Sequence, residues 1–134
     1  MKVLLTGHDG YIGAVMTRVL QDAGHTVSGL DSGFFNEAAL GGDLEPIETI
    51  PVDLRDIMAS DLVGIDAIAH LAALSNDPLG DINPDLTFDI NYEASVNLAK
   101  AALEAGVKRF VYSSSCSMYG ASDDVLDESA EFNP

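Results

Sequence analysis

Apolar residues gather in short runs at residues 2–6, 26–30, 48–52, 66–71 and 109–113, rich in Val, Ile and Leu and without polar alternation. Short apolar-rich runs without polar alternation, bounded by turn residues, predict strands buried on both faces, because a strand with one wet face would alternate. Between them the period changes. Over 11–23, Ile12, Val15, Met16, Val19 and Leu20 recur at helical spacing, and over 84–105 Leu86, Ile90, Ala94, Leu98, Ala101 and Ala102 do the same. Gly24 and Gly106 follow these stretches where C-terminal caps belong. Strand and helix in this alternation predict parallel strands joined by right-handed crossovers, an α/β doubly wound sheet of order 3-2-1-4-5. Segment 32–46, with Gly33, Gly41 and Gly42, has little periodicity and reads as a loop. The 134 residues suit one domain, so 1–134 is read as a single unit.

Charge narrows the partners. Twenty-two acidic residues against six basic ones give a net charge of −16, which repels a polyanion and argues against nucleic acid. An anionic cofactor would meet the same field, so its binding must rest on local backbone dipoles. The single cysteine, Cys116, has no disulfide partner, and His8, His25 and His70 are too scattered to suggest a metal site. That pattern fits a reducing, cytoplasmic setting. Val3-Leu4-Leu5 is ended by Thr6-Gly7 far short of a membrane span, so no membrane partner is expected.

Thr6-Gly7-His8-Asp9-Gly10-Tyr11-Ile12-Gly13 places glycines three apart, directly after a predicted strand and opening a predicted helix. That context is the dinucleotide-binding, or Rossmann, fingerprint. Gly7 would permit the tight turn, Gly10 the close approach of a pyrophosphate, and Gly13 the packing of helix on strand. Free N–H groups from Tyr11 onward would form the anion site that the overall charge does not provide. Asp31 ends the second predicted strand about twenty residues further on, where a carboxylate accepts from the adenosine ribose hydroxyls. No Arg or Lys follows in Ser32-Gly33-Phe34-Phe35-Asn36 to offset its repulsion of a 2′-phosphate, so NAD is expected in preference to NADP. The competing reading of Asp31 is the first residue of a solvated loop.

Together with further motifs in order, the chain resembles the extended short-chain dehydrogenase/reductase family, the NAD-dependent epimerases and dehydratases of nucleotide sugars. Asp53-Leu54 is similar to the family's pair beside adenine, His70-Leu71-Ala72-Ala73 to its segment after the fourth strand, and Asn91 to its helix asparagine. Phe110-Val111-Tyr112-Ser113-Ser114-Ser115-Cys116-Ser117-Met118-Tyr119-Gly120 resembles its active-site strand, which implies Ser115 as the catalytic hydroxyl and Ser113 as a residue lining the nicotinamide pocket. Physical reasoning bears on each position. Asp53 at the carboxyl edge could accept the adenine amino group while Leu54 covers the ring, although a solvated loop Asp is the alternative. Leu71, Ala72 and Ala73 follow the fourth strand, and the two alanines would let backbone approach the cofactor. His70 reads as a hydrogen-bonded core histidine. Asn91, poor in a helix interior, is expected to have a specific hydrogen-bonding task unless it lies on the surface. Cys116 is expected to be buried in packing.

Two departures shape the expected function. Cys116-Ser117 stands where the resembled sugar 4,6-dehydratases have an Asp-Glu pair, which leaves epimerisation or simple reduction. The family's Tyr-x-x-x-Lys acid/base pair is absent, for Tyr11, Tyr92, Tyr112 and Tyr119 are followed four places on by Val15, Val96, Cys116 and Asp123. The chain therefore reads as the cofactor part of a nucleotide-sugar epimerase or reductase, truncated before its substrate-binding part and inactive alone. The alternatives are a free-standing NAD-binding module without chemistry, and a remnant acting through protein contacts. Homo-oligomerisation stays open.

Overall fold

A computed structural model of the chain describes residues 1–34, 46–75 and 77–134. Five parallel strands, β1 (Lys2–Thr6), β2 (Thr26–Leu30), β3 (Glu48–Thr49), β4 (Ala67–His70) and β5 (Arg109–Tyr112), pair in the order β3-β2-β1-β4-β5. The expected doubly wound order is thus met. Helix α1 (Tyr11–Asp22) links β1 to β2, and α2 (Asp77–Ile82), α3 (Pro84–Phe88) and α4 (Ala94–Ala105) lie between β4 and β5. Gly106 closes α4 in the left-handed conformation, φ 78°, as its position promised. Most of the predicted loop, residues 35–45 with Gly41 and Gly42, falls outside the described residues.

Successive strand residues point to opposite faces. Leu4, Leu30 and Ile68 form one core with Ala94, Leu98, Ala101 and Ala102 of α4 and with Leu54, Ile57, Leu62 and Ile65 from the 3-10 turns Leu54–Asp56 and Ala59–Leu62 and the segment around them. The α1 side is thinner. Ala14 and Thr17 of α1 are buried there, but Ile12, Val15 and Val19 of the same helix stand more than half exposed.

Four sequence expectations need correction. The third strand was predicted over 48–52 but pairs only through Glu48–Thr49; Ile50 N–H still reaches Gly29 O at 2.8 Å, and the next donor on that side, Val52 N–H, turns back to Ile50 O at 3.0 Å instead of continuing the ladder. The strands are not all buried on both faces, since every residue of β5 is exposed along the free edge of the sheet. The helix predicted over 84–105 is not continuous, because the five residues Asp89–Glu93 widen into a π turn with Asn91 at its centre. Helix α2 was not foreseen at all; its sequence is short and carries Pro78 and Gly80.

Candidate functional site

The glycine loop leaves β1 at Thr6, and Gly7, at φ 72°, adopts a backbone that residues with a Cβ rarely take. Its N–H donates to Leu30 O across the sheet at 2.8 Å, which roots the loop on β2. Gly10 is the N-cap of α1, among the described residues no side chain caps that end, and no acidic residue occupies the first turn. The first-turn N–H groups of Tyr11, Ile12 and Gly13 have no partner within the helix, and such groups can bind an anion. Among the described residues a Cβ on Gly10 would meet nothing but the Gly7 carbonyl oxygen, at 3.3 Å, so these residues leave the surface above Gly10 open. A Cβ on Gly13 would overlap that same oxygen and stand 2.6 Å from His8 Cα. Gly13 thus packs α1 on the loop backbone, rather than on the strand as expected.

At the end of β2, Asp31 Oδ2 accepts from Asp9 N–H at 3.1 Å and Oδ1 from Gly33 N–H at 3.0 Å. The carboxylate is therefore a tie between the loop and β2 as well as a candidate acceptor for a ligand hydroxyl. Sequence reasoning missed its neighbours. Asp9 and Asp31 each offer a carboxylate oxygen, and the buried His8 a ring nitrogen, within 4.8 Å of one another, and His8 Nε2 lies 3.4 Å from Asp9 Oδ1. Gly29 was the available signal: a glycine inside a strand marks a close approach, and a Cβ there would stand 2.6 Å from three atoms of the His8 ring.

On the other side of β1, segment 71–74 runs past the loop. Leu71 and Ala72 N–H both donate to Thr6 Oγ1, at 3.2 and 3.1 Å, while Ala73 is exposed. Asn91 has the specific task expected of it: Oδ1 accepts from Leu74 N–H at 2.8 Å and Nδ2 donates to Leu74 O at 2.9 Å. His70 is the hydrogen-bonded core histidine, 1% exposed, lying between Thr6 and Ser95, and burial pushes its imidazole down to about 4.

Asp53 is neither free nor simply solvated. Arg55 donates to it through its backbone N–H at 2.9 Å, Nε at 3.0 Å and Nη2 at 2.8 Å, and these bonds hold its carboxyl down at about 2. Leu54 is 7% exposed and belongs to the main core, which leaves little side chain to cover a ring. At the far edge, Ser113 N–H donates to His70 O at 3.1 Å. Ser115 caps the turn Cys116–Tyr119, its Oγ 2.8 Å from Ser117 Oγ and accepting from Ser117 N–H at 3.2 Å. Cys116 is exposed, contrary to the packing role expected of it, because the turn follows an uncovered edge strand.

A family model described as "NAD dependent epimerase/dehydratase family" matches residues 3–134. The chain is 30% identical to a UDP-glucose 4-epimerase from Streptomyces lividans over 137 aligned residues, 99% of this chain and 42% of that protein. It is 31% identical to a 3 beta-hydroxysteroid dehydrogenase/Delta 5-->4-isomerase from Mycobacterium tuberculosis, covering 98% of this chain and 38% of the relative. Among solved structures, a UDP-glucose-4-epimerase from Stenotrophomonas maltophila with bound NAD and formylated UDP-arabinopyranose superposes with a TM-score of 0.84 at 33% identity, over 99% of this chain and 43% of that one. The chain thus spans less than half the length of these relatives.

Proposed function

The chain belongs to the NAD dependent epimerase/dehydratase family, and from that premise we propose that it forms the NAD-binding part of an enzyme acting on a nucleotide sugar by hydride transfer at a carbinol carbon. The observation that carries the reading is the glycine loop: an uncapped helix start at Gly10, with open surface above it and first-turn N–H groups aimed at an anion. Those donors supply locally the attraction that a net charge of −16 denies globally. NAD, when bound, supplies the hydride acceptor and donor.

This chain's residues would bind and orient. Gly7, Gly10, Tyr11, Ile12 and Gly13 would cradle the pyrophosphate, and Asp31 would accept from the ribose hydroxyls with Asp9 beside it. Asp53 and Leu54 would border the adenine, the first through whatever acceptor capacity Arg55 leaves. Leu71, Ala72, Ala73 and Ser113 would line the path toward the nicotinamide, with Asn91 holding that path through Leu74. Ser115 would hydrogen-bond the reacting sugar oxygen. The nucleotide sugar is favoured over a steroid because the epimerase likeness recurs both among curated relatives and, in the Stenotrophomonas maltophila structure, together with a sugar nucleotide.

Calorimetric titration of the chain with NAD and NADP tests the proposal. NAD should bind clearly more tightly; equal affinity, or tighter NADP, would remove Asp31 from its role, and no binding of either would overturn the cofactor reading.

A further inference from the structure

Thr6 Oγ1 carries one hydrogen and two lone pairs; Ala72 N–H donates to it at 3.1 Å, and Leu71 N–H is shared between it and Thr6 O, both at 3.2 Å. Its own hydrogen is then left for His70 Nδ1, 2.6 Å away. That nitrogen must be the bare one, so the neutral ring carries its proton on Nε2 and donates to Ser95 Oγ at 2.8 Å. Ser95 in turn donates to Asn91 O at 2.8 Å, and the Asn91 side chain returns to both backbone atoms of Leu74. Every bond in this series has one direction, and segment 71–74 is held at both ends by it. The same segment lies against the first turn of the glycine loop, where a Cβ on Gly7 would stand 2.9 Å from Ala72 N.

We propose that His70 is a positioning residue for the dinucleotide: as the Nε2–H tautomer it aims the Thr6 hydroxyl so that the oxygen holds the Leu71 and Ala72 amides, which sets backbone 71–74 against the glycine loop. The proposal rests on the NAD reading given above. A ring protonated at Nδ1 would donate to Thr6 Oγ1, turn the hydroxyl hydrogen outward and compete with the amides for its lone pairs, a loss that Leu71 N–H can make good at Thr6 O and Ala72 N–H cannot. Burial opposes the doubly protonated ring in the same sense, pushing the imidazole down to about 4. His70 also packs beside Phe110 and Tyr112, with ring centroids at 6.1 and 5.6 Å. Space-filling is therefore the competing role, and the test must separate the two.

Asparagine can place an acceptor near the position of Nδ1, whereas glutamine reaches toward Nε2 and matches the imidazole better in size. His70→Asn should keep the NAD dissociation constant within about threefold of the parent. His70→Gln should weaken it by about tenfold or more, through a Thr6 hydroxyl without its acceptor. Amide hydrogen exchange read by NMR should show Ala72 still protected in His70→Asn and rapidly exchanging in His70→Gln, while Leu71, which also donates to Thr6 O, stays protected in both. A space-filling role predicts the opposite order of affinity, and that order, or equal affinity and equal protection in the two variants, overturns the proposal while leaving the NAD reading intact. Absence of NAD binding by the parent chain overturns the NAD reading and with it the role. Thr6→Ser against Thr6→Val puts the same question one atom away, should a His70 variant not fold: serine should retain NAD affinity and valine lose about tenfold, and equal affinity of the two overturns the proposal.

Discussion

From Thr6 to Gly13 the chain is fixed by backbone and by ties to two other strands, with Gly7 bonded to Leu30, Asp9 to Asp31, and Thr6 to Leu71 and Ala72. From Ser113 to Tyr119 the bonds are mostly local, within a short turn, beyond an edge strand whose residues are all exposed. Both regions lie at the carboxyl ends of parallel strands, where ligands bind in open α/β sheets. The difference is that the glycine loop is held by bonds from several elements within these residues, while the Ser115 hydroxyl, among the described residues, bonds only within its own turn, to Ser117. Pyrophosphate binding needs only oriented N–H groups, which one strand, one turn and one helix can supply. Acid–base chemistry needs partners drawn from several elements.

The sharpest way to break the loop is Gly13→Val. Its Cβ would overlap the Gly7 carbonyl oxygen and approach His8 Cα, both backbone atoms that can yield only by moving α1 off the loop. A destabilisation of about 3 kcal/mol or more is expected, visible as a large drop in thermal midpoint by circular dichroism; a midpoint unchanged from the parent would refute the packing. Gly10→Val is the complementary case, because the added atoms face open surface. The fold should survive while NAD affinity falls by at least about a hundredfold, as oriented donors and close approach are lost together. A folded variant that binds NAD normally would remove the loop from the site.

Asp31→Asn separates charge from geometry. The amide oxygen can still accept from one backbone N–H while the repulsion of a 2′-phosphate is lost, so the preference for NAD over NADP should narrow by about tenfold. It should not vanish, because Asp9 keeps a second carboxylate within 4.8 Å. Adding Asp9→Asn should narrow it further, and an unchanged preference in the double variant would assign selectivity elsewhere.

Acid offers a gentler probe of the β1–β4 junction. His70 is depressed in the fold to about 4 from an ordinary 6.5, so its neutral form contributes stability that is complete above pH 6.5 and is lost as pH falls toward 4. Asp53, held at about 2, loses its pairing only below its ordinary 3.8. Between pH 6.5 and 4.5, above the point where Glu48 begins to lose its pairing with Lys2, the thermal midpoint should therefore fall through His70, by on the order of 5 °C, and His70→Asn should flatten that part of the curve. An identical slope in the variant would place the effect elsewhere.

The strand order was legible because every strand begins in an apolar run and the helices between them keep their period. What stayed hidden depends on contacts across the chain. Thr6 and His70 are 64 residues apart, and Asp9 and Asp31 are 22 apart. No local spacing announces either pair. The glycine motif was legible because its geometry is local; the π turn was not, because it widens a helix whose apolar spacing continues through it. Asn91 gave the clue that something happens there. Cys116 was misjudged because cysteine is commonly buried, and the sequence pattern of 109–113 does not reveal that β5 is an edge.

The smallest effect is expected from Ser115→Ala, on the looser side of the comparison. Ser115 Oγ touches Ser117 and caps a single 3-10 turn on the surface, so its removal should cost less than about 1 kcal/mol. NAD affinity should stay within about twofold, since none of the loop, Asp31 or segment 71–74 is bonded to this hydroxyl. Neither parent nor variant should turn over nucleotide sugars, because no Tyr in these residues is followed four places on by Lys. An absent general acid–base group forgoes about 10²–10⁴-fold, and a serine without an adjacent base is a poor substitute. Among the described residues Ser115 Oγ bonds to another hydroxyl and an amide, neither of which accepts a proton near neutral pH. Turnover that follows the purified chain through chromatography and disappears in Ser115→Ala would show that a base reaches Ser115 from elsewhere in the fold, and that the serine edge is as complete as the glycine loop.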